Sequence, residues 1–118
     1  MNIYENIVIL DAALADEEAE AAITKIKEFI ADQGGEVLKV DIWGRKKLAY
    51  EIKKQKKGLY VLLFYKTPPA AIKKLEELYK VFDAVLKYII IKLNAKQARE
   101  LEKIEAVSEP AEQKSGEG

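Results

Sequence analysis

Four stretches rich in β-branched and aromatic residues are interrupted by two whose apolar residues recur at helical spacing, and this order narrows the possible folds more than any other feature. Residues 3–10 are dominated by Ile, Tyr, Val and Leu and stop at Asp11, a turn residue, which predicts a strand. Asp16 is placed to cap a following helix, with Glu17, Glu18 and Glu20 near its N-terminal dipole. Ala19, Ala22, Ile23, Ile26, Phe29 and Ile30 give that helix one apolar face, and Gly34-Gly35 ends it. In residues 36–52 a run containing Val37, Leu38, Val40 and Ile42 meets Gly44 and the Arg45-Lys46-Lys47 triplet before apolar character resumes. The pattern predicts one long strand bulged near Gly44, then a hairpin turn over residues 53–58. Residues 59–65 form the most apolar strand, Thr67-Pro68 starts a second helix with Ile72, Leu75, Leu78 and Tyr79 as its buried stripe, and residues 85–93 form the last strand.

The order β-α-β-β-α-β over one core is an α+β arrangement, the ferredoxin-like split β-α-β. It predicts a four-stranded antiparallel sheet, strand order 4-1-3-2, with both helices on one face. Residues 1–93 are the expected domain. Ala98, Leu101 and Ile104 at spacing three predict a marginal C-terminal helix over 94–107, and the polar composition of 108–118 predicts a disordered tail. Asn6 interrupts an otherwise apolar row of the first strand.

Several kinds of chemistry are excluded by what the 118 residues lack. Cysteine and histidine are both absent, and the two serines, Ser108 and Ser115, lie in the polar tail. Thiolate and imidazole chemistry, disulfides and nearly all zinc sites are therefore excluded, and no catalytic residue, metal or cofactor is expected. No apolar run approaches the ~20 residues of a membrane span. No basic segment precedes an apolar stretch with a small-residue cleavage site, so no signal peptide is expected, and a cysteine-free chain fits a cytoplasmic location.

The 20 basic and 20 acidic residues cancel, but they are segregated. Residues 1–38 hold two basic against nine acidic residues; residues 39–57 hold eight basic against two acidic. A basic hairpin on a neutral protein can meet a phosphate backbone without binding nucleic acid indiscriminately, and the same lysines protect an edge strand from aggregation.

Both parities of residues 59–65 are apolar, so the sheet face away from the helices is expected to carry an apolar patch suited to a protein contact, unless residues 94–107 fold over it. Residues 57–64 fit an RNA-recognition motif at Lys57, Gly58 and Phe64 but place Leu59 and Val61 where aromatic rings should stack on bases. An acylphosphatase reading fails because the loop 11–16 has neither glycine nor arginine.

Tyr4-Glu5, the segment Gly44-Arg45-Lys46-Lys47-Leu48-Ala49-Tyr50-Glu51-Ile52, the basic hairpin ending in Gly58 and the Thr67-Pro68 helix start together resemble the sixth protein of the bacterial small ribosomal subunit. The resemblance covers about residues 1–93. It implies a non-enzymatic protein of this fold that binds small-subunit (16S) rRNA together with the eighteenth small-subunit protein and helps assemble the platform. It implies no membrane and no small-molecule substrate. The expected RNA-contacting residues are Asn2, Tyr4, Lys53, Lys54, Lys56, Lys87 and Lys92. The expected partner-contacting residues, along the second strand and adjacent sheet, are Trp43, Arg45, Lys46, Lys47, Leu48, Tyr50, Tyr60 and Leu62. The alternative is a small regulatory domain of the same fold that oligomerises through its sheet and binds an effector.

Overall fold

Strands β1 (Asn2–Asp11), β2 (Glu36–Ile52), β3 (Gln55–Thr67) and β4 (Val85–Lys92) and helices α1 (Asp16–Asp32) and α2 (Pro69–Val81) follow one another in the order that the periodicities predict. The structure, a computed structural model, describes residues 1–101; residues 102–107 of the expected C-terminal helix and the expected tail at 108–118 lie outside the described residues. β1 pairs antiparallel with both β3 and β4, and β2 pairs with β3. The resulting order, β2-β3-β1-β4, is the predicted 4-1-3-2 counted from the other edge, and the fold is ferredoxin-like. α1 packs on the β2 half of the sheet and α2 on the β4 half.

The helix starts differ from expectation by one or two residues. Ala15, not Asp16, is the N-cap of α1, and Glu18 replaces the missing side-chain cap by accepting the Ala15 N–H at 2.8 Å. Asp16 becomes the first helical residue, where its carboxylate still meets the dipole. The Gly34 and Gly35 amides donate back to the Ala31 and Ile30 carbonyls, closing the end of α1. Thr67 ends β3 instead of starting α2; Pro68 is the N-cap and Pro69, which has no N–H to leave unpaired, is the first helical residue.

The hairpin is tighter than the predicted 53–58 turn. Ile52 pairs with Gln55, and Lys53 and Lys54 alone make the connection, at φ 50° and 66°. Positive φ at both central residues is the two-residue type I′ geometry that Asn-Gly adopts without strain and two lysines do not. Gly58 is not a turn residue. It lies within β3, where a Cβ would strike Ile9 Cγ2 and press on Leu48 Cδ2, so its place marks a close approach of the bent hairpin to β1. The expected bulge is present, with a register shift between Ile42 and Gly44 and φ 106° at Gly44.

Alternation along the strands separates two faces. Val8, Leu10, Leu59, Val61, Leu63 and Val85 face the helices and form the main core with Ile23, Ile26, Ile30, Leu75 and Tyr79. The second face carries two smaller clusters. At one end of the sheet Ile3 and Leu93 lie under Ala98 and Leu101; at the other, Ile9 and Leu86 lie under Leu48 and Ile52 of the bent hairpin. The expected C-terminal helix is present over the described residues 95–101, and Asn94 and Gln97 close a reciprocal capping box at 2.8 and 3.0 Å.

Asn6, the polar interruption in β1, is completely buried and fully bonded. Its Oδ1 accepts from the Tyr79 hydroxyl at 2.5 Å and from the Tyr65 hydroxyl at 3.1 Å, and its Nδ2 donates to the Ile89 carbonyl at 2.9 Å. Burial pushes both phenols well above the ordinary tyrosine range, and neighbouring Tyr4 adds to the shift at Tyr65.

Two outcomes follow. Lys54→Gly, which leaves Lys53 and its bond to the Val85 carbonyl in place, stabilises the fold by about 0.5–1 kcal/mol in a denaturant titration, because glycine adopts the positive φ of this turn position without strain. The two buried phenols resist ionisation when folded, so their contribution to stability is intact below the ordinary phenol pKa of about 10 and declines as pH rises above it. Tyr79→Phe therefore destabilises by about 1 kcal/mol at neutral pH and makes the alkaline decline shallower, read from urea midpoints between neutral and strongly alkaline pH.

Candidate nucleic-acid and protein interface

Antiparallel pairing brings the start of β1 and the ends of β3 and β4 to one end of the sheet. Asn2 and Ile3 lie opposite Thr67 and Lys66, and Tyr4 lies opposite Lys92. An open cleft of about 680 Å³ forms there, lined by Asn2, Ile3, Lys66, Lys92, Asn94 and Ala98 among others. Lys66, opposite Ile3, and Lys92, opposite Tyr4, reach it from the two faces of the sheet, and Asn2 and Asn94 bring two amides. Lys66 was not among the sequence candidates, although its position just before the Thr67-Pro68 junction, at the end of a strand paired with the N-terminus, could have placed it there.

Tyr4 belongs to the core and not to an exposed contact surface. It is 6% exposed, its ring centroid lies 5.9 Å from that of Tyr65, and its hydroxyl accepts from Asn2 Nδ2 at 3.1 Å. Its role at this end of the sheet is to orient Asn2.

The remaining RNA candidates lie at the opposite end. Lys87 is five residues from Lys92 along β4, about 17 Å at ~3.3 Å per residue. Its Nζ donates to the Tyr50 hydroxyl at 2.7 Å, and Lys53 Nζ donates to the Val85 carbonyl at 3.1 Å. These two contacts tie the hairpin to β4. Lys54 and Lys56 stay exposed on the hairpin. The expected set is thus divided into two groups that no single local contact can span.

The partner candidates also separate by face. Trp43, Lys46, Tyr60 and Leu62 lie on the sheet face away from the two main helices. Lys46 Nζ sits 5.3 Å from the Trp43 ring centroid and 5.9 Å from that of Tyr60, and Trp43 Nε1 donates to Asp41 Oδ2 at 3.3 Å. Trp43 remains 42% exposed, with Ile89 and Ile91 exposed on β4. Leu48, on the hairpin, is buried against Ile9 and Leu86, so it supports this surface without forming it. Tyr50 is exposed beside Lys87, and Lys47 is exposed where β2 pairs with Lys57.

Arg45 points the other way. Its Nε donates to the Ala12 carbonyl at 3.0 Å, and its Nη2 donates to the Leu14 carbonyl at 2.7 Å and to Asp16 at 3.2 Å. The side chain expected at a partner instead fastens the β1–α1 connection to β2, a planar fork filling a loop with two carbonyls to satisfy.

Comparison with known proteins agrees with this architecture. The family model for ribosomal protein S6 matches residues 3–92. The chain belongs to that family. Small ribosomal subunit protein bS6 of Moorella thermoacetica is 40% identical over 93 residues, covering 79% of this chain and 95% of the relative. The bS6 protein of Caldanaerobacter subterraneus subsp. tengcongensis is 39% identical over 92 residues, covering 78% and 97%. The crystal structure of 30S ribosomal protein S6 from Thermotoga maritima superposes with a TM-score of 0.74 at 28% identity, covering 92% of this chain and 97% of that one. Membership of the S6 family makes the chain a protein of the small ribosomal subunit, and not an enzyme.

Arg45→Ala is expected to cost about 1 kcal/mol in chemical denaturation, since charge-assisted bonds to two carbonyls are lost at a partly exposed site. Amide exchange should accelerate over residues 12–16, while Asp16→Ala alone has the smaller effect.

Proposed function

We propose that the chain binds small-subunit 16S rRNA jointly with the eighteenth small-subunit protein and thereby helps assemble and hold the platform of the subunit in the cytoplasm. The observation that carries this reading is the cleft at the end of the sheet that Lys66, Lys92 and Asn2 all help to line, with Lys66 opposite Ile3 and Lys92 opposite Tyr4, so that the two lysines flank the sheet end from its two faces. Two ammonium groups and a side-chain amide suit phosphate and sugar oxygens, which position a protein on RNA without reading sequence. Lys54 and Lys56 on the hairpin provide a second, separate phosphate contact. The protein partner is assigned to the face bearing Trp43, Lys46, Tyr60 and Leu62, where large aromatic surface is available at low entropic cost.

Joint binding follows from the charge arithmetic. A chain of zero net charge lacks the long-range attraction that gives nucleic acid affinity by itself, so the two small basic groups are effective once a partner holds the chain in register.

Sedimentation of the tagged chain through sucrose gradients provides the test. Co-migration with small subunits at moderate salt, with loss at high salt, is the expected result. Lys66→Gln with Lys92→Gln, which remove both charges without setting a second carboxylate opposite Glu36, should leave the folded chain's thermal unfolding nearly unchanged and reduce co-migration severalfold, because each phosphate contact adds to the salt-dependent affinity. A wild-type chain found only at the top of the gradient would overturn this reading of joint binding.

A further inference from the structure

We propose that the outer edge of β4 pairs with the same edge of a second copy of this chain, antiparallel and centred on Ile89, so that the free protein forms a weak symmetric dimer. The inference goes beyond the ribosomal reading and does not rest on it: the occupant is another copy, and the surface is the edge of the sheet opposite β2.

Three observations lead to β4. It is an edge strand, paired with β1 on one side and with no strand on the other among the described residues. Leu93 donates its N–H to the Ile3 carbonyl at 2.9 Å, and the Ile89 carbonyl accepts from Asn6. The alternate residues Ile89 and Ile91 therefore turn their main-chain groups toward β1, while Tyr88 and Ile90 turn theirs outward. Lysine or proline commonly blunts such an edge, yet residues 88–91, Tyr-Ile-Ile-Ile, contain neither. Finally, Ile89 and Ile91 are 41% and 49% exposed on the face away from α1 and α2. They lie in the gap between the hairpin, which covers Ile9 and Leu86, and the 95–101 helix, which covers Ile3 and Leu93.

The side chains beside this edge complement themselves. On the same face, β1 and β4 align Glu5 with Ile91, Ile7 with Ile89 and Ile9 with Lys87. Setting Ile89 opposite the second copy's Ile89 joins both Ile7 and both Ile89 side chains into one apolar row across the junction. The same register sets Lys87 opposite the second copy's Ile91, with that copy's Glu5 one strand further on. Two strand spacings, ~9.6 Å, separate the lysine and glutamate backbones, a span that their long side chains close over the intervening isoleucine. Two-fold symmetry repeats the pair, so opposite charges close the apolar row at both ends. Glu5 and Lys87 have no ion pair among the described residues, and the Lys87 ammonium is bonded to the neutral Tyr50 hydroxyl. Pairing confined to residues 87–91 buries less than the ~1,200 Å² at which standard interfaces begin, which makes the dimer weak and dependent on concentration.

The test uses the purified full-length chain, free of RNA, in sedimentation equilibrium from micromolar to millimolar concentration. The mean mass is expected to rise from one chain toward two. Lys87→Glu should weaken association about tenfold, since it opposes two carboxylates at each end, and adding Glu5→Lys to it should restore the parent behaviour. That rescue separates the charge pair from any effect on the hairpin, because the Tyr50 contact is not restored. The register is read by thiols, as the chain has no cysteine of its own. Ile89→Cys sets two thiols across the two-fold axis in a pair without main-chain bonds, whose Cα separation of ~4.5 Å permits a disulfide. Ile91→Cys sets them four residues, ~14 Å, out of register, so oxidation should yield at least tenfold less covalent dimer. A mass of one chain at every concentration, no rescue by the charge exchange, or equal crosslinking at the two positions would overturn the dimer. None of these results bears on ribosomal binding, which the sucrose gradient tests separately.

Discussion

Asn6 joins the parts of the fold that matter for either interface. Its amide lies on the central strand, accepts from tyrosines on β3 and α2, and donates to the backbone of β4. A buried amide left unbonded would cost several kcal/mol, so each of these partners is held at one distance and one register. A one-residue slip of β4 against β1 would remove the Ile89 carbonyl from Asn6 and turn the apolar row of β4 over. The register in turn sets Tyr4 opposite Lys92 and Ile3 opposite Lys66, which is what creates the lysine-rimmed cleft. A polar residue in the core thereby fixes a surface feature three strands wide.

The charge segregation visible along the chain becomes spatial in the folded protein. The acidic first third supplies α1, whose carboxylates border one side of the β2 edge, while the basic segment after Lys39 supplies the hairpin and the opposite sheet face. The bent hairpin belongs to this arrangement: Gly58 lets it approach β1, Leu48 and Ile52 cover Ile9 and Leu86, and Lys53 and Lys87 fasten it. Lysines that look available in sequence are used to shape the domain, leaving Lys54 and Lys56 outermost.

Element order, sheet topology and the Gly44 bulge were legible because each depends on local periodicity or on a single residue's backbone freedom. The hairpin turn was misread at Gly58 because glycine signals two things, a positive φ or a close approach, and only the neighbouring strand tells them apart. Arg45 and Tyr4 were legible as notable residues but not in role. A guanidinium beside a run of lysines looks like part of a basic patch until the β1–α1 loop is seen to present two carbonyls to it. Tyr4 next to Glu5 at an N-terminus looks exposed until its parity places it on the helix side.

By itself, the sequence determined the family, the split β-α-β order, the absence of cysteine and histidine chemistry and the segregation of charge. These are properties of residue identity and short-range spacing, which survive without any knowledge of contacts. The tertiary structure decided which face each strand residue occupies, which lysines remain at a surface, and that Lys66, Asn2 and Lys92 line one cleft. Those depend on register between segments more than 60 residues apart in the chain, as in Ile3 opposite Lys66, and register is set by packing and by the bonds of Asn6, not by either segment alone.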